Sequence, residues 1–68
     1  MTKEEEVQNV GGIHATLESV NMSLWASINR LEEIPGTSKA RRKVEQAQRK
    51  VADAVIHLVN AMEQLEGE

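Results

Sequence analysis

The residues most able to do chemistry are a group of cations that follow the single proline. Six of the eight Lys and Arg residues fall within positions 39–50, namely Lys39, Arg41, Arg42, Lys43, Arg49 and Lys50. The first four begin a predicted helix, where backbone N–H groups and the helix dipole are already positive. Together with the hydroxyls of Thr37 and Ser38, such cations form the donor set that binds phosphate. We therefore predict an anion site at Thr37, Ser38, Arg41, Arg42 and Lys43.

The acidic residues offer a second interpretation of the same cations. Glu32 and Glu33 end the preceding helix and can pair with the cations across the turn, although they cannot also neutralise Arg49 and Lys50, two turns further on. Ten of the eleven acidic residues lie outside positions 39–50, and the net charge is −3. We therefore expect a small anionic ligand or an acidic partner, and no long nucleic acid.

The remaining candidates for chemistry are isolated. Trp25 is the only aromatic residue, and beside an apolar stripe it can serve as core edge, interface anchor or stacking platform for a base. We include it among the ligand-binding candidates. His14 and His57 lie on different helices without a motif around them, so we predict no catalytic residue, no metal site, no cofactor and no enzyme.

The second half of the chain predicts a long amphipathic helix, from about residue 39 to 66. Alanine recurs every seven residues, and a larger apolar residue follows each alanine four places later: Ala40, Ala47, Ala54, Ala61, and Val44, Val51, Leu58, Leu65. This heptad predicts a close helix–helix seam. The apolar sector widens from Val51 onward, which favours self-association, although a small monomeric core would also use it. The predicted oligomer interface is Val51, Val55, Leu58, Val59 and Met62.

The first half predicts a partner helix for this seam. One apolar stripe marks a helix over about residues 12–33, through Ile13, Leu17, Val20, Leu24, Ile28 and Leu31. A capping box at Thr2 and Glu5 begins a short helix over about residues 2–10. We favour a break at Gly11-Gly12, with one continuous helix as the alternative. Residues 34–38, around Pro35 and Gly36, form the turn.

These elements predict one all-α domain over residues 1–68, an antiparallel hairpin of two long helices with a short N-terminal helix, assembling into a homo-oligomer. A chain this small without cysteine often gains stability by oligomerising. No apolar run of about 18 residues is present and the start is acidic, so we expect neither a membrane partner nor a secretory signal. An intracellular location is the remaining expectation.

The second helix resembles a known family. The run Arg42-Lys43-Val44, then Val51, Ala54-Val55-Ile56 and residues 58–62 resembles the hairpin domain shared by phage anti-CBASS and anti-Thoeris proteins, which are cyclic-nucleotide sponges. The resemblance covers about residues 10–64 and is closest over residues 42–62. It implies a hexamer in the cytoplasm of a bacterial host. It also implies that cyclic di- or trinucleotides, or related adenine nucleotides, bind at protomer interfaces and are released intact.

This chain departs from the family pattern at two places. The aromatic residue that often follows the family's arginine is Lys43 here, and no Tyr is present to stack on a base. Only Arg42 matches a basic position of the family. The alternative function is a small helical protein–protein interaction module or inhibitor that acts through its apolar face.

Overall fold

The chain folds as two helices of equal length packed side by side. The structure is a computed structural model that describes residues 2–67, in which α1 spans Lys3–Glu32 and α2 spans Ser38–Gly67. The hairpin measures 51 × 14 × 14 Å. Thirty residues make a helix of about 45 Å, so each helix runs nearly the whole length of the molecule. The predicted all-α helical hairpin is confirmed.

The start of α1 has Thr2 as its N-cap, which is one half of the predicted capping box. The Thr2 hydroxyl accepts a hydrogen bond from the Glu5 N–H at 3.1 Å, and the Thr2 carbonyl accepts one from the Glu6 N–H at 3.1 Å. Three glutamates occupy the first turn, where their charge complements the positive end of the helix dipole.

The predicted break at Gly11-Gly12 is wrong, because α1 is continuous through both glycines. A separate short helix is therefore not formed. The inward-facing positions stay in phase across the pair, and the Met62 sulfur lies 3.8 Å from where a Cβ on Gly11 would stand. The Thr16 hydroxyl also donates to the Gly12 carbonyl at 3.0 Å. Packing against α2 therefore outweighs the cost of about 1 kcal/mol for each helical glycine.

The turn reverses the chain between Glu33 and Ser38. Gly36 has a positive φ of 80°, which only glycine adopts without strain. The Thr37 hydroxyl lies 2.7 Å from the Leu31 carbonyl and 2.8 Å from the Ile34 carbonyl, to which it donates. The Thr37 side chain therefore closes the carbonyl end of α1, while its backbone carbonyl accepts the first bond of α2 from the Arg41 N–H.

Two rows of residues on each helix face the other helix. Successive inward residues are alternately three and four positions apart. Burial follows Val7, Val10, His14, Leu17, Asn21, Leu24, Ile28 and Leu31 on α1, and Arg41, Val44, Gln48, Val51, Val55, Leu58, Met62 and Leu65 on α2. This is the 3–4 spacing of a two-stranded antiparallel coiled coil. Ile28 is the one buried apolar residue among the described residues, at 2% exposure.

This register corrects half of the predicted seam. Val44, Val51, Leu58 and Leu65 do lie against α1, but Ala40 and Ala47 are exposed. On α1 the predicted stripe included Ile13 and Val20, and both are exposed, at 53% and 40%. Polar residues occupy the inward positions instead. The predicted row of Ile13, Val20, Ala40 and Ala47 is displaced by one residue, because the polar residue that follows each of them lies inward instead.

The two helices create two broad faces, which differ in composition. The alanine face carries Ile13, Val20, Ala40, Ala47, Ala54 and Ala61 along the apolar inward rows. The tryptophan face carries Glu18, Trp25, Glu45, Ala52 and Val59 along the rows that hold the polar inward residues. The hydrogen bond from Gln48 Nε2 to Asn21 Oδ1, at 3.0 Å, joins the helices on the tryptophan face.

Candidate functional site

The turn end of the hairpin holds the predicted anion site, which the first two turns of α2 position. Ser38, Arg42 and Lys43 are exposed there, whereas Thr37 and Arg41 are half-buried. The N–H groups of residues 38–40 begin a helix and have no acceptor in the described part of the chain. The structure thus places a free helix N-terminus beside exposed cations, as an anion requires.

Arg41 is held by the hairpin itself. It occupies an inward position beside the end of α1, and its Nε lies 3.4 Å from Glu45 Oε1, one helical turn away. The same Nε is inaccessible to solvent and has no well-aligned hydrogen-bond acceptor. Arg41 therefore packs against the helix pair along its stem, so it is less free to meet a ligand than Arg42.

Thr37 is likewise engaged within the turn. Its hydroxyl hydrogen points to the carbonyls of Leu31 and Ile34, so the side chain cannot donate it to a phosphate. Ser38, by contrast, makes no side-chain hydrogen bond in the described residues and stays accessible. Of the two predicted hydroxyls, the structure leaves Ser38 free to donate.

The predicted pairing of cations with Glu32 and Glu33 is not formed. In residues 2–67 the ion pairs join His14 to Glu18 and Arg41 to Glu45. The remaining cations of α2 have no carboxylate partner within that range, namely Lys39, Arg42, Lys43, Arg49 and Lys50. The turn end therefore presents uncompensated positive charge to solvent.

The cations of α2 do not form one patch, because the helix distributes them to different sides. Arg42 and Arg49 are seven residues apart and border the tryptophan face. Lys43 and Lys50 have the same spacing but border the alanine face, and Lys39 points away from α1. The predicted site is therefore split between two sides of the molecule.

Trp25 lies on the same side of the hairpin as Arg42 and Arg49. Its side chain is 49% exposed on the tryptophan face. With a rise of about 1.5 Å per residue, Trp25 lies about 10 Å from the turn end of α1. On α2, Arg42 lies about 6 Å and Arg49 about 16 Å from the turn end. Along the length of the hairpin, Trp25 is therefore between the two arginines. An indole can stack on a flat ring and guanidinium groups can attract negative charge, so these three residues are the candidates on this side. Arg49 was not among the predicted ligand residues, although its seven-residue spacing from Arg42 signals it.

The other parts of the molecule offer different chemistry. A shallow groove at the open end is lined by Lys3, Glu4, Val7, Gln8 and Glu66, and none of the predicted ligand residues borders it. His14 Nδ1 lies 2.8 Å from Glu18 Oε1, whereas His57 is exposed on α2. No group of three metal-ligating side chains occurs in residues 2–67. Within the same range, neither helix has an apolar stretch long enough to cross a bilayer.

The predicted oligomer interface lies along the half of α2 nearest the open end. Val51, Val55, Leu58, Val59 and Met62 are all half-buried against α1, so each still exposes part of its surface. Val59 borders the tryptophan face, whereas Val51 and Leu58 lie on the alanine side. These five residues therefore face both sides of the hairpin.

Comparisons with known proteins give no relative for this chain. No protein-family model, no curated protein and no solved structure matches it.

Proposed function

We propose that this protein binds a small nucleotide signal and sequesters it without cleaving it. The ligand class is a cyclic di- or trinucleotide, or a related adenine nucleotide. The observation that carries the proposal is the half-exposed Trp25 between the unpaired Arg42 and Arg49. A base can stack on the indole while guanidinium groups bind its phosphates.

Sequestration fits these groups better than turnover does. Indole, guanidinium and ammonium groups bind bases and phosphates, but none of them is a nucleophile suited to attack a phosphodiester. The free N–H groups at the start of α2 and the Ser38 hydroxyl add neutral donors at the same end. Such a site holds a phosphate by charge and hydrogen bonds alone.

A single hairpin covers only one side of a ligand on this open face. We therefore propose that the ligand is bound between copies, in a homo-oligomer that is a hexamer if the family resemblance holds. In that case the protein is a phage immune-evasion factor, and it acts in the cytoplasm of the bacterial host. The contribution of each copy is the arrangement of Trp25, Arg42 and Arg49, with Arg41 nearby, whereas Lys43 lies on the other side of the hairpin.

Native mass spectrometry together with tryptophan fluorescence tests the proposal. The probes are cyclic di-AMP, cyclic GMP–AMP, cyclic tri-AMP and ADP-ribose. Because Trp25 is the only fluorescent side chain, a base stacked on it should quench the emission directly. We expect added ligand mass, quenching, and recovery of the intact ligand after denaturation. Recovery of a cleaved product would contradict sequestration.

Two substitutions and a matched control locate the site. Trp25→Ala should weaken binding about 5- to 150-fold, since stacking on an aromatic side chain contributes about 1–3 kcal/mol per base. Arg42→Ala should weaken binding strongly, whereas Lys43→Ala removes the same charge from the neighbouring position on the other face. Equal losses for Arg42→Ala and Lys43→Ala would show that net charge, and not the tryptophan face, determines binding.

The alanine face favours a second candidate function, a helical interaction module or inhibitor that docks on another protein. Ile13, Val20, Ala40 and Ala47 are exposed on this face and Ala54 and Ala61 are half-buried, and large exposed apolar patches mark interaction surfaces. A folded protein that binds none of the four probes would favour this function over nucleotide sequestration.

A further inference from the structure

We infer that the alanine face is the interface with a second copy of this chain, packed head to tail so that α2 lies antiparallel to α2 of the partner. The contact surface is Ile13, Val20, Ala40, Ala47, Ala54 and Ala61. This interface rests on the self-association in the proposed function and deepens it, but it does not include Trp25 or Arg42, so nucleotide binding is measured separately from the pairing.

The hairpin exposes more surface than a compact monomer of the same mass, which favours a partner that covers part of it. One chain exposes 5144 Å². A compact monomer of 7.6 kDa exposes about 4,300 Å² by the scaling of monomeric proteins. The excess of about 800 Å² equals the area that each partner buries in a standard protein–protein interface, also about 800 Å². A thin hairpin thus has the spare surface that a stable dimer needs.

The spacing of the alanines favours the antiparallel arrangement. Ala40, Ala47, Ala54 and Ala61 recur every seven residues, so the stripe is the same when read from either end. A two-fold axis midway between Ala47 and Ala54 brings Ala40 opposite Ala61 of the partner, and Ala47 opposite Ala54 of the partner. Small side chains on both helices allow the axes to approach at the close end of the usual range of about 8–10 Å.

The charge distribution also favours the head-to-tail orientation. The turn half of the hairpin, residues 18–52, carries seven cations and four acidic residues. The open half, residues 3–17 and 53–67, carries one cation and six acidic residues. Head-to-tail packing places each basic end beside an acidic end. The opposite orientation would place like charges together at both ends.

The first test compares Ala47→Glu with the control Gln46→Glu. Both positions are exposed in the hairpin and receive the same charge, but only position 47 lies on the alanine face. Native mass spectrometry and light scattering report the mass, and circular dichroism reports the helix content. We expect the wild type and Gln46→Glu to contain paired copies with a melting temperature that rises with protein concentration. Ala47→Glu should lose the pairing. A wild type that stays monomeric at tens of micromolar, or an Ala47→Glu protein with unchanged mass, would overturn the inference.

Cysteine cross-linking then tests the orientation, since the chain has no cysteine of its own. Ala40→Cys and Ala61→Cys are oxidised separately and as a mixture. Head-to-tail packing predicts a fast disulfide only in the mixture, because Ala40 lies opposite Ala61 of the partner. A fast disulfide in Ala40→Cys alone would bring the two turn ends together and would overturn the orientation.

Discussion

The two broad faces of this hairpin are formed by the same two helices, but the inward residues behind them differ in polarity. On the alanine side, all eight inward residues are valine or leucine. On the tryptophan side, four of the eight are polar, namely His14, Asn21, Arg41 and Gln48. The polar inward residues have partners within the chain, so that side can remain in contact with water. The alanine side has no polar group to hydrate over most of its length.

This difference separates the two kinds of binding that the molecule can support. The alanine face gains free energy when another apolar face covers it, and it is bordered by Lys43 and Lys50 but has no aromatic side chain on which a base could stack. The tryptophan face is bordered by Arg42 and Arg49, whose charges select an anion. Assembly and ligand recognition can therefore occupy opposite sides of one small hairpin.

The largest expected effect on stability comes from the most buried residue of the tryptophan side. Ile28 is 2% exposed near the turn, whereas Ile56 is 58% exposed on the outer edge of the same face. Ile28→Ala should lower the free energy of unfolding by about 2–5 kcal/mol, because the cavity adds to the lost burial. Ile56→Ala should change it by less than about 0.5 kcal/mol. Urea unfolding followed by circular dichroism measures both, and similar losses would contradict the inward rows.

The next largest effect is expected at the Asn21–Gln48 pair, whose replacement would reduce the difference in polarity between the two faces. Gln48→Leu leaves the half-buried Asn21 amide without its partner and should cost about 1–3 kcal/mol. The double variant Asn21→Leu with Gln48→Leu removes both polar groups and should recover most of that loss. It also makes the tryptophan side more apolar, so native mass spectrometry should show additional assembly states. A double variant as unstable as Gln48→Leu would mean that the hydrogen bond is not the source of the cost.

Glycine substitutions test whether α1 is continuous, and their expected effects on stability are smaller. Gly12 has no atom within 4 Å of an added Cβ, and Gly11 has only an ordinary contact with Met62. Each change to alanine should stabilise the hairpin by about 0.5–1 kcal/mol, because alanine loses less conformational entropy in a helix. Gly36→Ala is the control of opposite sign, since its φ of 80° strains any side chain. Thermal unfolding measures all three. A destabilised Gly12→Ala would indicate a bend in α1.

The architecture was predictable from the sequence because its signals are local. Pro35 and Gly36 mark the turn, Thr2 marks the start of α1, and apolar periodicity marks both helices. The continuity of α1 was not predictable from the glycines alone, since tertiary packing against Met62 outweighs their low helix propensity. Asn21 and Gln48 were missed for a related reason. Their pairing satisfies both amides inside the hairpin, and one helix alone does not reveal the partner.

The candidate site was predictable only as a list of residues. The cations and Trp25 are evident from composition, but their distribution between faces depends on the phase of α2 against α1. In the observed phase Arg42 and Lys43 lie on opposite sides of the molecule, although they are adjacent in the sequence. Arg49 follows Arg42 by one heptad and therefore lies on the same side of α2, whichever phase the helix takes. The commitment of the Thr37 hydroxyl to the turn also depends on geometry that the sequence does not encode locally.

The smallest effect on stability is expected from a substitution at Glu45, which also tests the proposed role of the tryptophan face. Glu45 is an acidic residue on that face beside Arg42, and its ion pair with Arg41 is about one-third exposed. Glu45→Gln should therefore cost only about 0.3–0.5 kcal/mol, and the loss should vanish at high salt.

Affinity should change in the opposite direction in the same variant. Removing the carboxylate leaves Arg41 without a counterion and lowers the repulsion of a phosphate near Arg42, so cyclic di-AMP should bind more tightly. Glu63→Gln, near the open end, removes the same charge far from the arginines and is the matched control. Fluorescence titration of Trp25 at low and high salt measures both variants. If Glu45→Gln binds no more tightly than Glu63→Gln, the ligand does not lie beside Arg41 and Arg42.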